Sequence, residues 1–202
     1  MNQMFKQYSG ELVREFDIEI KFNDIESICT ETFEDIYVFT PKNSENYLAQ
    51  ETKDLFERAK LKFERLLILS YPPGRIGPIH IDGFAAPQRP SLNVILTEES
   101  TGFIEYFNVN TDSEIFQITR VVSKRDGMND NYEPTKRSVT ILKHDQCEKI
   151  DSFKFSTKPT LIRIDMPHRV INDNKNMCRH IVIMRFLNDT YDEVKQKLLN
   201  II

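Results

Sequence analysis

The chain has 202 residues, 40% of them hydrophobic and 29% charged, with fourteen Phe and seven Tyr, the balance of a folded globular protein rather than a disordered or fibrous one. A net charge of −4 gives no general pull toward phosphate backbones, so a protein or small-molecule partner is expected ahead of nucleic acid. No apolar run approaches the roughly 18 residues of a membrane helix, and the N-terminal MNQMFKQYSGELVREFD lacks the apolar centre of a secretion signal.

A cytoplasmic protein without a membrane partner is therefore expected. Cys29, Cys147 and Cys178 show no CxxC spacing and read as reduced, buried apolar residues. The length suffices to bury a core without disulfides or a structural metal, and no repeat, low-complexity tract or linker divides it. One domain over residues 1–202 is the expectation, with a strand and a helix at its N-terminal side and a helix at its C-terminal end.

In chain order, FDIEIKF (Phe16 to Phe22) alternates apolar and polar residues like a half-buried strand, and ENYLAQETKDLFERAKLKFERL carries apolar residues at helical spacing. From Leu66 the pattern changes to short β-like runs between turns: LLILSY, SLNVILT, GFIEYFN, IFQITRVV, RSVTILKH, SFKFS, TLIRIDM and CRHIVIMRFL. Such runs predict a mainly β fold, an antiparallel barrel or a two-sheet jelly roll. The polar SKRDGMNDNYEPTK, Ser123 to Lys136, reads as a long hairpin tip or excursion. NDTYDEVKQKLLNII predicts a C-terminal helix capped by Asn188, Asp189 or Thr190, with Val194, Leu198, Leu199 and Ile202 on one stripe against a sheet.

The chain has six glycines, and three of them fall in YPPGRIGPIHIDG, Tyr71 to Gly83. On an extended strand His80 and Asp82 share a face while Ile81 points the other way. One imidazole and one carboxylate are two ligands of a facial triad, which needs a second His and leaves three positions open. The candidates are His144, His168 and His180. His168 follows Pro167, which ends an apolar strand, and is the best placed. His144 sits among charged residues and reads as an exposed strand end.

In CRHIVIMRF, Arg179, Ile181 and Ile183 share one face and His180, Val182 and Met184 the other; parity leaves open which is inside. A buried arginine requires an anion that fits its planar fork. Arg179 therefore meets either a bound acid or a protein carboxylate, Asp82, Asp165 or Glu105. In GFIEYFN, Phe103, Glu105 and Phe107 share one face and Ile104 and Tyr106 the other.

These segments together resemble the Fe(II)- and 2-oxoglutarate-dependent dioxygenases, in particular the aspartyl/asparaginyl β-hydroxylase-like branch. The resemblance runs through LSYPPGRIGPIHID, SLNVIL, GFIEYF and MPHRVINDNKNMCRHIVI. It implies a double-stranded β-helix, the cupin-like jelly roll with flanking helices, and a hydroxylase that consumes O2 and 2-oxoglutarate and releases succinate and CO2. His80, Asp82 and His168 would then hold Fe(II), and Arg179 would anchor the cosubstrate, with Arg89 and Arg185 as rivals for that role. Asn93, Ser91 and Tyr71 would face the cosubstrate; Asn93 alternatively bonds a buried backbone group. Many eukaryotic members of the branch carry glycine where Asp82 stands, so this chain departs toward the full three-ligand set. A cupin-like module that binds metal and a small acid without oxidation is the other reading of the same residues.

Overall fold

The computed structural model describes residues 10–25, 36–82, 90–97, 102–109, 116–121, 132–133 and 136–202. Cys29, Arg89 and most of the polar segment from Ser123 to Lys136 lie outside them. The strands are β1 Val13–Glu15, β2 Tyr37–Pro41, β3 Phe63–Tyr71, β4 His80–Asp82, β5 Pro90–Ile95, β6 Phe103–Val109 and β7 Phe116–Val121. They continue with β8 Tyr132–Glu133, β9 Lys136–Ile141, β10 Cys147–Lys154, β11 Thr160–Arg163, β12 His168–Ile171 and β13 Arg179–Phe186. Two helices, α1 Gln50–Arg58 and α2 Tyr191–Leu199, accompany them. No helix among the described residues is long and apolar enough to cross a membrane.

One sheet has the order β1-β11-β5-β13-β3-β2-β8 and the other β10-β6-β12-β4-β9-β7, and every pairing is antiparallel. The eight strands β3, β4, β5, β6, β10, β11, β12 and β13, taken first to eighth, alternate between the sheets except at the fourth and fifth, which lie side by side in the smaller one. First pairs with eighth, eighth with third and third with sixth in one sheet; second pairs with seventh, seventh with fourth and fourth with fifth in the other. That pairing is the double-stranded β-helix of a jelly roll. The β7–β9 hairpin is inserted between β6 and β10 and lies along the free edge of β4, which gives that three-residue strand a partner on each side.

Burial follows strand parity. On the larger sheet Leu66, Ile68, Leu92, Val94, Leu161, Val182 and Met184 face the helices, where Leu55 and Phe56 of α1 and Tyr191, Val194 and Leu198 of α2 complete one cluster. Leu67, Leu69, Tyr71, Ile95, Ile162, Ile181 and Ile183 face the smaller sheet, meeting Ile104, Tyr106 and Val170. Ile81 joins Ile79, Phe107, Val109 and Leu142 on the smaller sheet's outer face, as its opposition to His80 and Asp82 requires. At the paired ends of β4 and β12, His80 and His168 stand directly opposite one another.

Three expectations are corrected. FDIEIKF forms no strand: Val13–Glu15 takes the ladder position on β11, and the segment after it contributes an isolated bridge, Phe22 to Leu48. Its alternation records one-sided burial, since Phe16 with Ile18, Ile20 and Phe22 packs on the helix-side cluster. Its backbone bonds to distant groups instead, with Lys21 N–H donating to Thr52 Oγ1 (2.8 Å) and Phe16 N–H to the Pro159 carbonyl (2.9 Å). The long predicted helix contracts to Gln50–Arg58. Lys60 turns left-handed (φ +53°), with Lys60 N–H on Glu57 O and Leu61 N–H on Phe56 O, a Schellman stop that releases LKFERL into β3. The C-terminal stripe is Tyr191, Val194 and Leu198, while Leu199 and Ile202 are exposed, because α2 ends at Leu199.

Thr190 caps α2: its side chain accepts from Glu193 N–H while Glu193 reaches back to Thr190 N–H. Thr190→Ala is expected to lose about 1 kcal/mol of unfolding free energy. Lys60→Gly is expected to gain up to about 1 kcal/mol by removing the left-handed penalty. Urea titration of the three proteins measures both.

Candidate metal centre

His80 and His168 are cross-strand neighbours, their ring centroids 4.4 Å apart, and Asp82 lies two residues along β4 on the same face. One ligand atom from each of the three lies within 4.8 Å of the others. Both imidazoles are locked the same way. His80 Nδ1 is 3.0 Å from the Pro78 carbonyl and His168 Nδ1 2.8 Å from the Met166 carbonyl. A carbonyl only accepts, so each Nδ1 carries the proton and each Nε2 keeps its lone pair for a metal. His80 Nε2 is 3.7 Å from Asp82 Oδ1.

Burial holds His168 uncharged. Desolvation, helped by the neighbouring His80, lowers its pKa from 6.5 to about 3, so at neutral pH it is the free base that a metal requires. Two imidazoles and a carboxylate fit a divalent ion of the facial-triad kind.

The three ligands line one cavity of about 100 Å³ between the sheets, together with Tyr71, Ser91, Asn93, Phe155, Arg179 and Arg185. The remaining wall is largely aliphatic, Ile162, Ile164, Ile181 and Ile183 among it. Arg179 and Arg185 sit at opposite ends of β13, roughly 20 Å apart along the strand, and differ in their partners. Arg185 Nη2 donates to Asp82 Oδ2 (3.1 Å) and its Nη1 to the Pro90 carbonyl (3.3 Å).

Arg179 is fully buried, and Nε, Nη1 and Nη2 have no hydrogen-bond partner among the described residues. Its guanidinium lies over the Phe155 ring at 4.6 Å. Burial pulls its pKa down from 12.5 to about 9, which leaves it cationic at neutral pH. None of the three carboxylates considered as partners takes it. Asp82 holds Arg185, Asp165 lies 3.8 Å from Arg163, and Glu105 binds Arg169 (2.6 Å) and Lys149 (3.2 Å) on the outer face of β6.

The other expected site residues divide. Ser91 Oγ donates to Asn93 Oδ1 at 2.5 Å, so the two side chains bond each other at the cavity wall rather than a backbone group. Tyr71 is buried and opposite Arg179 in the ladder. His180 points to the helix side, bonded to Ser70 Oγ at 2.8 Å, and His144 is exposed. Cys178 is buried and Cys147 half-buried.

Two residues had not been singled out. Asn172 is fully buried and donates to the carbonyls of Pro72 (2.9 Å) and Met177 (2.8 Å), tying the turn after β3 to the loop before β13; its signal in the sequence is its place at the end of PHRVIN, where the strand gives way to a turn. Gly102 stands beside Arg179, where a Cβ would meet Ile171 O at 2.2 Å and Arg179 Nε at 3.1 Å.

No protein-family model matches the chain, and no curated protein matches it. Among solved structures it is similar to an oxalate oxidase, at 13% identity and a TM-score of 0.30, over 81% of this chain and 55% of that one. The chain thus spans about half the length of that structure. The jelly-roll assignment rests on the strand pairing, and fold and site together define a jelly-roll protein with a His-Asp-His cluster able to hold a metal ion.

His80→Ala or His168→Ala, each leaving two of three ligands, is expected to abolish Co(II) binding measured by calorimetry. In the metal-free protein, His168 has a lower pKa folded than unfolded. The unfolded chain therefore takes up more protons between about pH 6.5 and 3. The contribution of neutral His168 to stability is complete above 6.5 and is lost as pH falls toward 3. Melting temperatures across that window are expected to fall less steeply in His168→Gln than in the wild type.

Proposed function

We propose that this chain is an Fe(II)- and 2-oxoglutarate-dependent oxygenase that hydroxylates a protein side chain, an amino acid or another small molecule. The observation that carries the reading is Arg179, a buried cation without a hydrogen-bond partner among the described residues, lining the same cavity as the His-Asp-His cluster. An uncompensated buried charge costs several kcal/mol, and a carboxylate that accepts from the guanidinium edge removes that cost. Ile171 of β12, the row beside Gly102 and Arg179, is three residues on from His168, roughly 10 Å at strand rise. A short diacid with one end at the metal and the other at Arg179 suits that separation.

In this reading His80, Asp82 and His168 hold the metal through Nε2, a carboxylate oxygen and Nε2, and three positions stay open for ligands. Bound there, Fe(II) supplies the activation of O2 that puts one oxygen atom into a substrate C–H bond and the other into succinate, with loss of CO2. The chain's own part is to orient and to exclude water. Arg179 fixes the far carboxylate, Asn93 and Ser91 present a bonded polar pair on the wall, and the aliphatic residues keep the cavity dry.

Calorimetry with Co(II)-loaded protein is expected to show metal-dependent 2-oxoglutarate binding. Arg179→Met is expected to weaken it about 10- to 100-fold, from hydrogen bonds to a charged group of roughly 1.5–3 kcal/mol, while Co(II) still binds. Succinate release under Fe(II) and O2 tests the reaction. Tight 2-oxoglutarate binding without succinate across a panel of peptides and metabolites would favour the binding module over the oxygenase.

A further inference from the structure

Asp82 belongs to the smaller sheet and Arg185 to the larger, so their ion pair crosses the cavity. Arg185 is buried and doubly fixed, by Asp82 Oδ2 and by the Pro90 carbonyl. The guanidinium therefore engages one oxygen of the carboxylate, while the other, Oδ1, is the one that approaches His80 Nε2.

From this geometry we infer that Arg185 is a positioning residue that limits Asp82 to a single metal-ligating oxygen; the inference rests on the metal reading above. A free carboxylate beside two imidazoles has two equivalent oxygens and can chelate a divalent ion with both. Chelation would fill one of the three positions that a facial triad leaves open. Arg185 removes that option by holding Oδ2 in a charge-assisted hydrogen bond. Its second anchor on Pro90 O keeps the fork from following the carboxylate. The role belongs to Arg185 alone of the two cavity arginines, because Arg179 lies at the other end of β13.

The test uses the full chain loaded with Mn(II), whose exchanging waters are counted by water-proton relaxation. The wild type is expected to keep about three waters, Arg185→Met about two, and Arg185→Lys, which retains a cationic donor, about three. An unchanged count in a folded, Mn(II)-binding Arg185→Met protein would overturn the role of Arg185 and leave the metal site intact. Absence of Mn(II) binding in the wild type would overturn the metal reading itself. A crystal structure of the wild-type protein with Mn(II) checks the same point without a variant: Oδ1 alone on the metal is expected, and a chelating Asp82 refutes the inference.

Discussion

The middle strand of the larger sheet, β13, is buried from Arg179 to Phe186 and hydrogen-bonded on both sides. A strand so enclosed has two faces with different obligations, and a period of two assigns residues to them without freedom. Val182, Met184 and Phe186 meet the helices, with His180 held by Ser70 among them. Ile181 and Ile183 meet the other sheet, and the same parity delivers an arginine into the cavity at each end. A one-residue slip would bury both cations under the helices and turn His180 into the cavity. The register of one strand thus sets the electrostatics of the whole site.

The His-Asp-His cluster is built by equally local rules. His80 and His168 are far apart in sequence, yet β12 lies beside β4 and places them opposite each other. In each case the carbonyl two residues earlier accepts a hydrogen bond from Nδ1, so one backbone arrangement, repeated on two strands, aims both Nε2 atoms. Asp82 needs no additional element, since the strand period already puts it on the face of His80. The β7–β9 hairpin holds the outer edge of this short strand: His80, Ile81 and Asp82 stand opposite Ile141, Thr140 and Val139.

Much of this was legible in the sequence because it depends on parity and on polar residues that interrupt apolar runs. The eight β-like runs, the HxD face and the opposition of Arg179 to His180 follow from a period of two, while His168 was marked by the strand-ending proline before it and His144 set aside by its charged neighbours. What was not legible depends on partners distant in the chain. The ladder position of FDIEIKF was lost to Val13–Glu15 because alternation reports burial, and does not report which strand edge is available. β12 was too short to register as a run. That Arg185 rather than Arg179 takes Asp82 follows from which end of β13 lies across the cavity from β4, a tertiary fact with no local signature.

The two arginines show how the same residue type serves opposite ends of one cavity. Arg185 is satisfied by groups within the protein, a carboxylate and a carbonyl, and its position is fixed before any ligand enters. Arg179 is packed against an aromatic ring instead: its guanidinium carbon lies over the Phe155 ring, and Gly102, left-handed at φ +69°, leaves the passage beside Cδ and Nε that any Cβ would narrow. A cation–π contact favours the charge without using a single hydrogen-bond donor. The cation is thereby packed in place while its three nitrogens stay free of hydrogen bonds among the described residues. Rigid placement matters more for binding than raw charge. A preorganised fork loses little entropy when a planar carboxylate docks, whereas a lysine at the same position would have to be ordered first.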